Sequence, residues 1–334
     1  MLSRHGGMEK YGIFVRQKNI KVSNSIMEEK KEMDEGLFKS RSYLSCLNEG
    51  LKLPTRHILS LLRFLYPSLI AGAVVMGLWG VFFNQITVAL TRWMAASEPV
   101  VLSFPLFTLI ILSVLSLLAD SFYMGNVMTA VSRFGAWPAL RFGEAKREIF
   151  NASLRALTCT LVAVVVFSLL IVPVTLWLGA GNVWVTVVSY VLLLALGVPY
   201  CMVIMDYMLG ERRDFWCSLK RMKDGYQYWG AFFIILFCGG LIMGVLAAVS
   251  WLPAGILAYA GHASLMGVLE GDATDLPSYV PALVVFFFML ASVIANVFSW
   301  LTLFPLSYLY GSVEARKQEK ASFEEEERRL QGLQ

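Results

Sequence analysis

Six long apolar runs, each bounded by short polar stretches, divide the chain. A helix needs about 20 mainly apolar residues to cross the hydrocarbon core of a bilayer. The runs cover about Phe64–Leu90, Phe104–Ala130, Ala156–Leu178, Val183–Met205, Trp229–Leu252 and Pro281–Tyr310, and each meets that length. The pattern predicts an all-α fold, a polytopic bundle of six transmembrane helices spanning residues 64–311. Residues 37–63 read as an amphipathic lead-in helix, and 312–334 as a charged tail that continues the last helix. Within that tail, Glu324 with Arg328 and Glu325 with Arg329 have the spacing of helical ion pairs.

One apolar stretch does not fit the six. Pro253–Gly271 is short and glycine-containing, and a seventh crossing there would carry the basic tail to the far side. It is expected to be an external interfacial or re-entrant helix.

Charge orients the bundle. Of the 28 lysines and arginines, all but Arg92 fall on one side of the six runs. Basic residues in short loops mark the cytoplasmic side, so both termini are expected there, in a multi-pass protein of a cytoplasmic (inner) membrane. The hairpin Gly179-Ala180-Gly181-Asn182 carries no charge, as a short external turn should. Tryptophans support the register: Trp93, Trp177, Trp184 and Trp251 fall at outer boundaries, and Trp137, Trp216 and Trp229 near inner ones. Composition agrees, with 57% hydrophobic and 16% charged residues, against about a quarter charged in soluble chains. The net charge of +4 is then an excess of cytoplasmic loops facing anionic headgroups. No cysteine of the five reaches the outer side, so no structural disulfide is expected. Residues 1–36 are polar, read as disordered and lack the core of a secretory signal; Met27 is a candidate translation start.

The segments leading into the odd-numbered spans resemble one another. Leu44-Ser-Cys-Leu-Asn-Glu49-Gly50-Leu51 aligns without gaps to Leu219-Lys-Arg-Met-Lys-Asp224-Gly225-Tyr226. The middle lead-in, Ser153–Leu157, lacks the acid–glycine pair. The reading is three repeated hairpins, each introduced by a basic amphipathic cytoplasmic helix; chance similarity of basic lead-ins is the alternative. Such helices can lie on a bilayer, with Arg141, Lys146, Arg147, Arg212, Arg213, Lys220 and Arg221 meeting anionic lipid. With Asp224-Gly225-Tyr226, the Gly271-Asp272…Leu276-Pro277 loop and Tyr310-Gly311-Ser312, the chain resembles six-helix bacterial membrane proteins related to the membrane domain of glycerophosphodiester phosphodiesterases. The resemblance implies a membrane module and no phosphodiesterase catalytic domain.

Candidate chemistry is sparse. Asp120 is the acidic residue well inside a span, and Ser113, Ser116, Asp120 and Tyr123 share a helical face through spacings of three, four and three. That face is expected to turn inward. Asp120 then reads better as a structural carboxylate, paired with Arg133 or another inner-loop base, than as a proton- or cation-linked transport site. Asn296, with Ser292 and Ser299, forms a weaker polar stripe. Gly240, Gly244 and Ala248 form a small-residue ridge on the fifth span, as Ala73 and Gly77 do on the first, and both suit close helix packing. Homodimer contact is the alternative for both. His262, Glu270, Asp272 and Asp275 match no metal pattern, and no phosphate loop, nucleophile elbow or nucleic-acid module is visible. The expectation is a non-enzymatic membrane module without cofactor or metal: a scaffold, accessory subunit or envelope-maintenance factor. Its expected partners are membrane lipids and another membrane protein. A small transporter or lipid-handling protein using the Asp120 face is the second reading.

Overall fold

The computed structural model describes residues 37–96, 103–133, 141–179, 182–269 and 277–331. Outside them lie the amino-terminal segment with Met27, Trp137, and the loop residues Glu270, Asp272 and Asp275. Among the described residues the elements are helices without strands: α1 (Tyr43–Arg56), α2 (Ile58–Ala96), α3 (Ser103–Ser132), α4 (Phe142–Leu178) and α5 (Val183–Leu209) come first. Short α6 (Phe215–Lys220) and α7 (Met222–Gln227) follow, then α8 (Trp229–Leu269) and α9 (Val280–Gln331). Helices α2, α3, α4, α5, α8 and α9 are long and apolar enough to cross a membrane. The chain is a multi-pass membrane protein with an all-α, six-span bundle.

Several helices outrun the predicted spans. The 41-residue α8 continues through Pro253 to Leu269, which corrects the expected interfacial or re-entrant helix. Pro253 lacks an N–H, but a membrane helix tolerates that loss without breaking. Helix α4 begins at Phe142 and runs unbroken into its span, so the middle lead-in is no separate membrane-lying helix. The first lead-in is instead split: His57 leaves helical geometry (φ −119°, ψ 26°) and α2 starts at Ile58. Helix α9 runs 52 residues, about 78 Å at 1.5 Å per residue. Its tail carries the expected Glu325–Arg329 pair at 3.3 Å, whereas Glu324 pairs with Lys320 at 3.8 Å.

Buried residues gather at one end, where the basic loops lie. One core joins Leu61, Phe64, Leu65, Tyr123, Val127, Trp300 and Phe304 across α2, α3 and α9. A second joins Met128, Ala156, Met202, Met205, Phe232, Leu309 and Tyr310. Towards the opposite end, none of the described residues from 160 to 197 is buried. Apolar surface there meets lipid tails as apolar as itself, so no hydrophobic force closes it. A π-helical turn at Leu193–Gly197 interrupts α5 and shifts its hydrogen-bond ladder. The Leu194 carbonyl accepts a bond from Trp229 Nε1 at 3.0 Å, tying α5 to the start of α8. At the opposite end α4 stops at Gly179, whose φ of +86° suits glycine.

The lead-ins close this packed end as a ring. Cys46, Gly50 and Pro54, four residues apart on α1, are all buried and so share one face. That face lies on α9, not on a bilayer: a Cβ on Gly50 would fall 2.5 Å from Pro305 Cα. The aligned Gly225 of α7 meets a proline in the same way, its Cβ position lying 2.5 Å from the Pro199 carbonyl oxygen of α5. In the middle unit the roles reverse, with Gly125 of α3 against Ser153 of α4, where a Cβ would stand 2.4 Å from the Ser153 nitrogen. Each lead-in therefore seats on the returning helix of the preceding hairpin, and the first seats on the last.

Candidate functional site

Charged side chains from three helices and one helix junction converge at the packed end. Asp206 lies on the final turn of α5, Arg221 at the α6–α7 junction, Asp224 on α7, and Glu314 and Lys317 on α9. The Arg221 guanidinium donates to all three acids: Nε to Asp206 at 3.3 Å, Nη1 to Asp224 at 3.1 Å and Nη2 to Glu314 at 2.6 Å. Ser218 Oγ and Tyr310 Oη also donate to Asp206, at 2.6 and 3.0 Å. Lys317 donates to Asp224 and stands 4.0 Å from the second oxygen of Glu314, a buried atom without a hydrogen-bond partner.

Three carboxylates against two cations leave the cluster one negative charge in excess. Burial opposes the charge on Arg221. Its hydrogen bond to Glu314, with the charges of Glu314, Asp206 and Asp224, outweighs that and raises its pKa above the usual arginine value. This is chemistry for clamping helices together. Among the described residues no group of histidine, cysteine, aspartate or glutamate is placed to hold a metal, and all five cysteines are free.

Arg221 was expected to meet lipid and instead sits at the centre of this network. Arg141, Lys146, Arg147, Arg212, Arg213 and Lys220 are exposed, so they remain available to an anionic surface. Asp206, Glu314 and Lys317 were missed from sequence. The available signals were the spacings Arg221–Asp224 and Glu314–Lys317, each three residues, but such pairs form within one helix and give no hint of their meeting.

The Asp120 face divides. Ser116 accepts from Trp79 Nε1 at 2.7 Å, joining α3 to α2. Tyr123 Oη donates to the Asn296 carbonyl and lies 2.8 Å from Ser299 Oγ, joining α3 to α9. Asn296 also places its amide against Gly72 of α2. These groups act as helix-bonding polar contacts. Asp120 is exposed, which corrects the expectation of an inward face. Among the described residues it also pairs with no base, and Arg133 instead bonds Glu148 at 2.6 and 2.8 Å. The reason is angular: at about 100° per residue, Asp120 lies about 40° round the helix from Ser116 and about 60° from Tyr123. The buried stripe of Leu112, Ala119 and Tyr123 ends between them.

The small-residue ridges also separate. Ala73 is buried, and a Cβ on Gly77 would stand 2.9 Å from Met289 Cγ, so this ridge packs against α9. Gly240, Gly244 and Ala248 face outward, with nothing within 4 Å of a Cβ at either glycine; the expected internal packing is not present. Gly244→Leu should therefore leave thermal unfolding of the detergent-solubilised protein unchanged within about 0.5 kcal/mol. A larger loss would show an intramolecular role for this face.

No protein-family model, curated protein or solved structure matches the chain.

Proposed function

We propose that this protein is a non-enzymatic module of a bacterial cytoplasmic membrane, acting as an accessory subunit or scaffold for another membrane protein. The observation that carries this reading is the placement of Asp120. Its carboxylate is exposed 12 residues before the end of α3, about 18 Å along the helix. Exposed Ser113 shares its face two turns away, and the exposed surface of α3 is otherwise largely apolar, with Phe107, Ile110, Val114 and Leu118. Among the described residues it has neither a hydrogen bond nor an ion pair, whereas Ser116, Tyr123 and Asn126 nearby on α3 all bond within the bundle.

A carboxylate in the apolar region of a membrane costs about 2.5–3.5 kcal/mol by insertion measurements. A partner helix offering lysine, arginine or hydroxyl groups would relieve that cost and gain specificity. Transport through the bundle would instead call for Asp120 and Asn296 to share an interior path, and they point to different surroundings.

The test is chemical cross-linking and mass spectrometry on protein extracted in native membrane discs, comparing wild type with Asp120→Asn. The expected result is one stoichiometric membrane-protein partner, lost at least tenfold in the variant while its unfolding temperature stays unchanged. A protein that is solitary in both forms, with a solute or lipid flux abolished by Asp120→Asn, would overturn the accessory reading in favour of transport or lipid handling.

A further inference from the structure

A second group of cations, separate from both Asp120 and the Arg221 network, stands where α4 meets the end of α5. Arg155 is the last charged residue before the apolar run 156–178, which places it at the edge of the membrane-crossing part of α4. Its guanidinium reaches across to α5, where Nη1 donates to the carbonyls of Tyr207 and Met208 at 3.2 Å each, and its Nε bonds the Asn151 carbonyl at 3.3 Å. No carboxylate pairs with it among the described residues.

The chain leaving α5 then bends through residues 210–214, which puts Arg213 five residues beyond the Met208 carbonyl that Arg155 holds. Arg213 is the one described non-glycine residue with positive φ, at 50°, a conformation that crowds any Cβ and suits glycine or asparagine. Its side chain is exposed and, among the described residues, makes neither a hydrogen bond nor an ion pair, and its charge acts on Arg155. Two acids share the turn, but among the described residues neither forms an ion pair with Arg155 or Arg213, and Asp214 accepts from the backbone nitrogen of Trp216. Arg155 is engaged with the carbonyls that end α5, so Arg213 is the cation left to take a ligand. Beside it Trp216 is 71% exposed, and Lys220 is exposed four residues further on, one turn away on the same side. An exposed indole next to arginines at the end of an apolar run is the chemistry of a headgroup layer.

We propose that Arg155 and Arg213, with Trp216 and Lys220 at the rim, bind the phosphate of an anionic phospholipid headgroup. The phosphate lies between the two guanidinium groups, accepting from the unengaged Nη2 of Arg155 and from Arg213. Trp216 sits at the level of the glycerol, and the acyl chains run along the apolar surface of α4 above Arg155. Guanidinium suits this ligand because its planar fork offers paired donors to phosphate oxygens.

Arg213→Gly separates charge from fold, since glycine accepts the turn geometry that arginine holds at a cost. The full-length protein in detergent is titrated with phosphatidylglycerol, phosphatidylcholine and inorganic phosphate, and bound lipid is counted by native mass spectrometry. Arg328→Gln, which removes an exposed charge on the α9 tail, is the comparison. Wild type and Arg328→Gln should hold one phosphatidylglycerol in preference to phosphatidylcholine. Arg213→Gly should weaken that binding about fivefold, as expected for one basic residue at an anionic surface, with an unchanged or raised unfolding temperature. Arg213→Asn should behave as Arg213→Gly does. Equal binding of the two lipids by wild type, or an undiminished preference in Arg213→Gly, would overturn the assignment. Displacement of the lipid by millimolar inorganic phosphate would overturn it in favour of a soluble phosphate ligand.

Discussion

Exchange of Arg221 for alanine is expected to cost the folded protein about 3 kcal/mol, the scale seen when one partner of a buried ion pair is removed. The loss exceeds that of a surface salt bridge because of what stays behind. Asp206, Asp224 and Glu314 would face one another with Lys317 as their remaining cation, and the side chains of Asp206 and Glu314 are each only 15% exposed. Their mutual repulsion is poorly screened there. Lysine at position 221 should recover less than half of the loss, since one ammonium cannot imitate a planar fork reaching three carboxylates. Adding Glu314→Gln to Arg221→Ala should restore stability relative to Arg221→Ala alone, a coupling that a double-mutant cycle would read. Reversible unfolding in detergent, followed by tryptophan fluorescence, measures wild type, Arg221→Ala, Arg221→Lys, Glu314→Gln and the double variant. A loss below about 0.5 kcal/mol for Arg221→Ala would mean that the network behaves as a solvated surface.

The second large effect lies at the glycine–proline seats. Gly225→Ala would put a methyl carbon 2.5 Å from the Pro199 carbonyl oxygen and 2.8 Å from its Cα, and Gly50→Ala would put one 2.5 and 2.6 Å from Pro305 Cα and N. The obstructing atoms are backbone and proline ring, which cannot turn aside as a flexible side chain would. Each substitution should therefore cost about 3 kcal/mol, the upper part of the range for overpacking, and should shift α7 or α1 off its partner helix. Unfolding measured beside Gly244→Leu, which meets open space, isolates the packing term. Gly225→Ala at wild-type stability would mean that the α7–α5 contact is looser than these distances.

The spans themselves were legible because crossing a bilayer demands a length of apolar residues that little else requires. The lead-in repeat was legible as a pattern, and the equivalent seating of Gly50 and Gly225 gives it a physical basis. What α1 packs on was not legible. A face made of Cys46, Gly50 and Pro54 is apolar enough for lipid or for protein, and hydrophobicity alone cannot choose. The Arg221 network was hidden for a related reason: Asp206 and Glu314 each read as an ordinary charge near a helix end, and only the bundle brings them within reach of one guanidinium. Asp120 fell on the wrong side because spacings of three, four and three cover an arc of about 80°. A stripe that wide straddles the line between protein and lipid.

The seat of α1 on α9 also bears on the order of assembly. Arg41 and Ser312, whose backbone and hydroxyl groups bond each other at 2.9 and 3.1 Å, are 271 residues apart. Translation proceeds from the amino terminus, so α1 leaves the ribosome first while the helix that receives it is made last. Until Pro305 has been synthesised and inserted, the stripe of Cys46, Gly50 and Pro54 has no place to rest. Five spans must enter the bilayer before the earliest helix docks, and so long-range a contact is slow to form. In a nascent chain the ring is open, and α1 is the piece that shuts it.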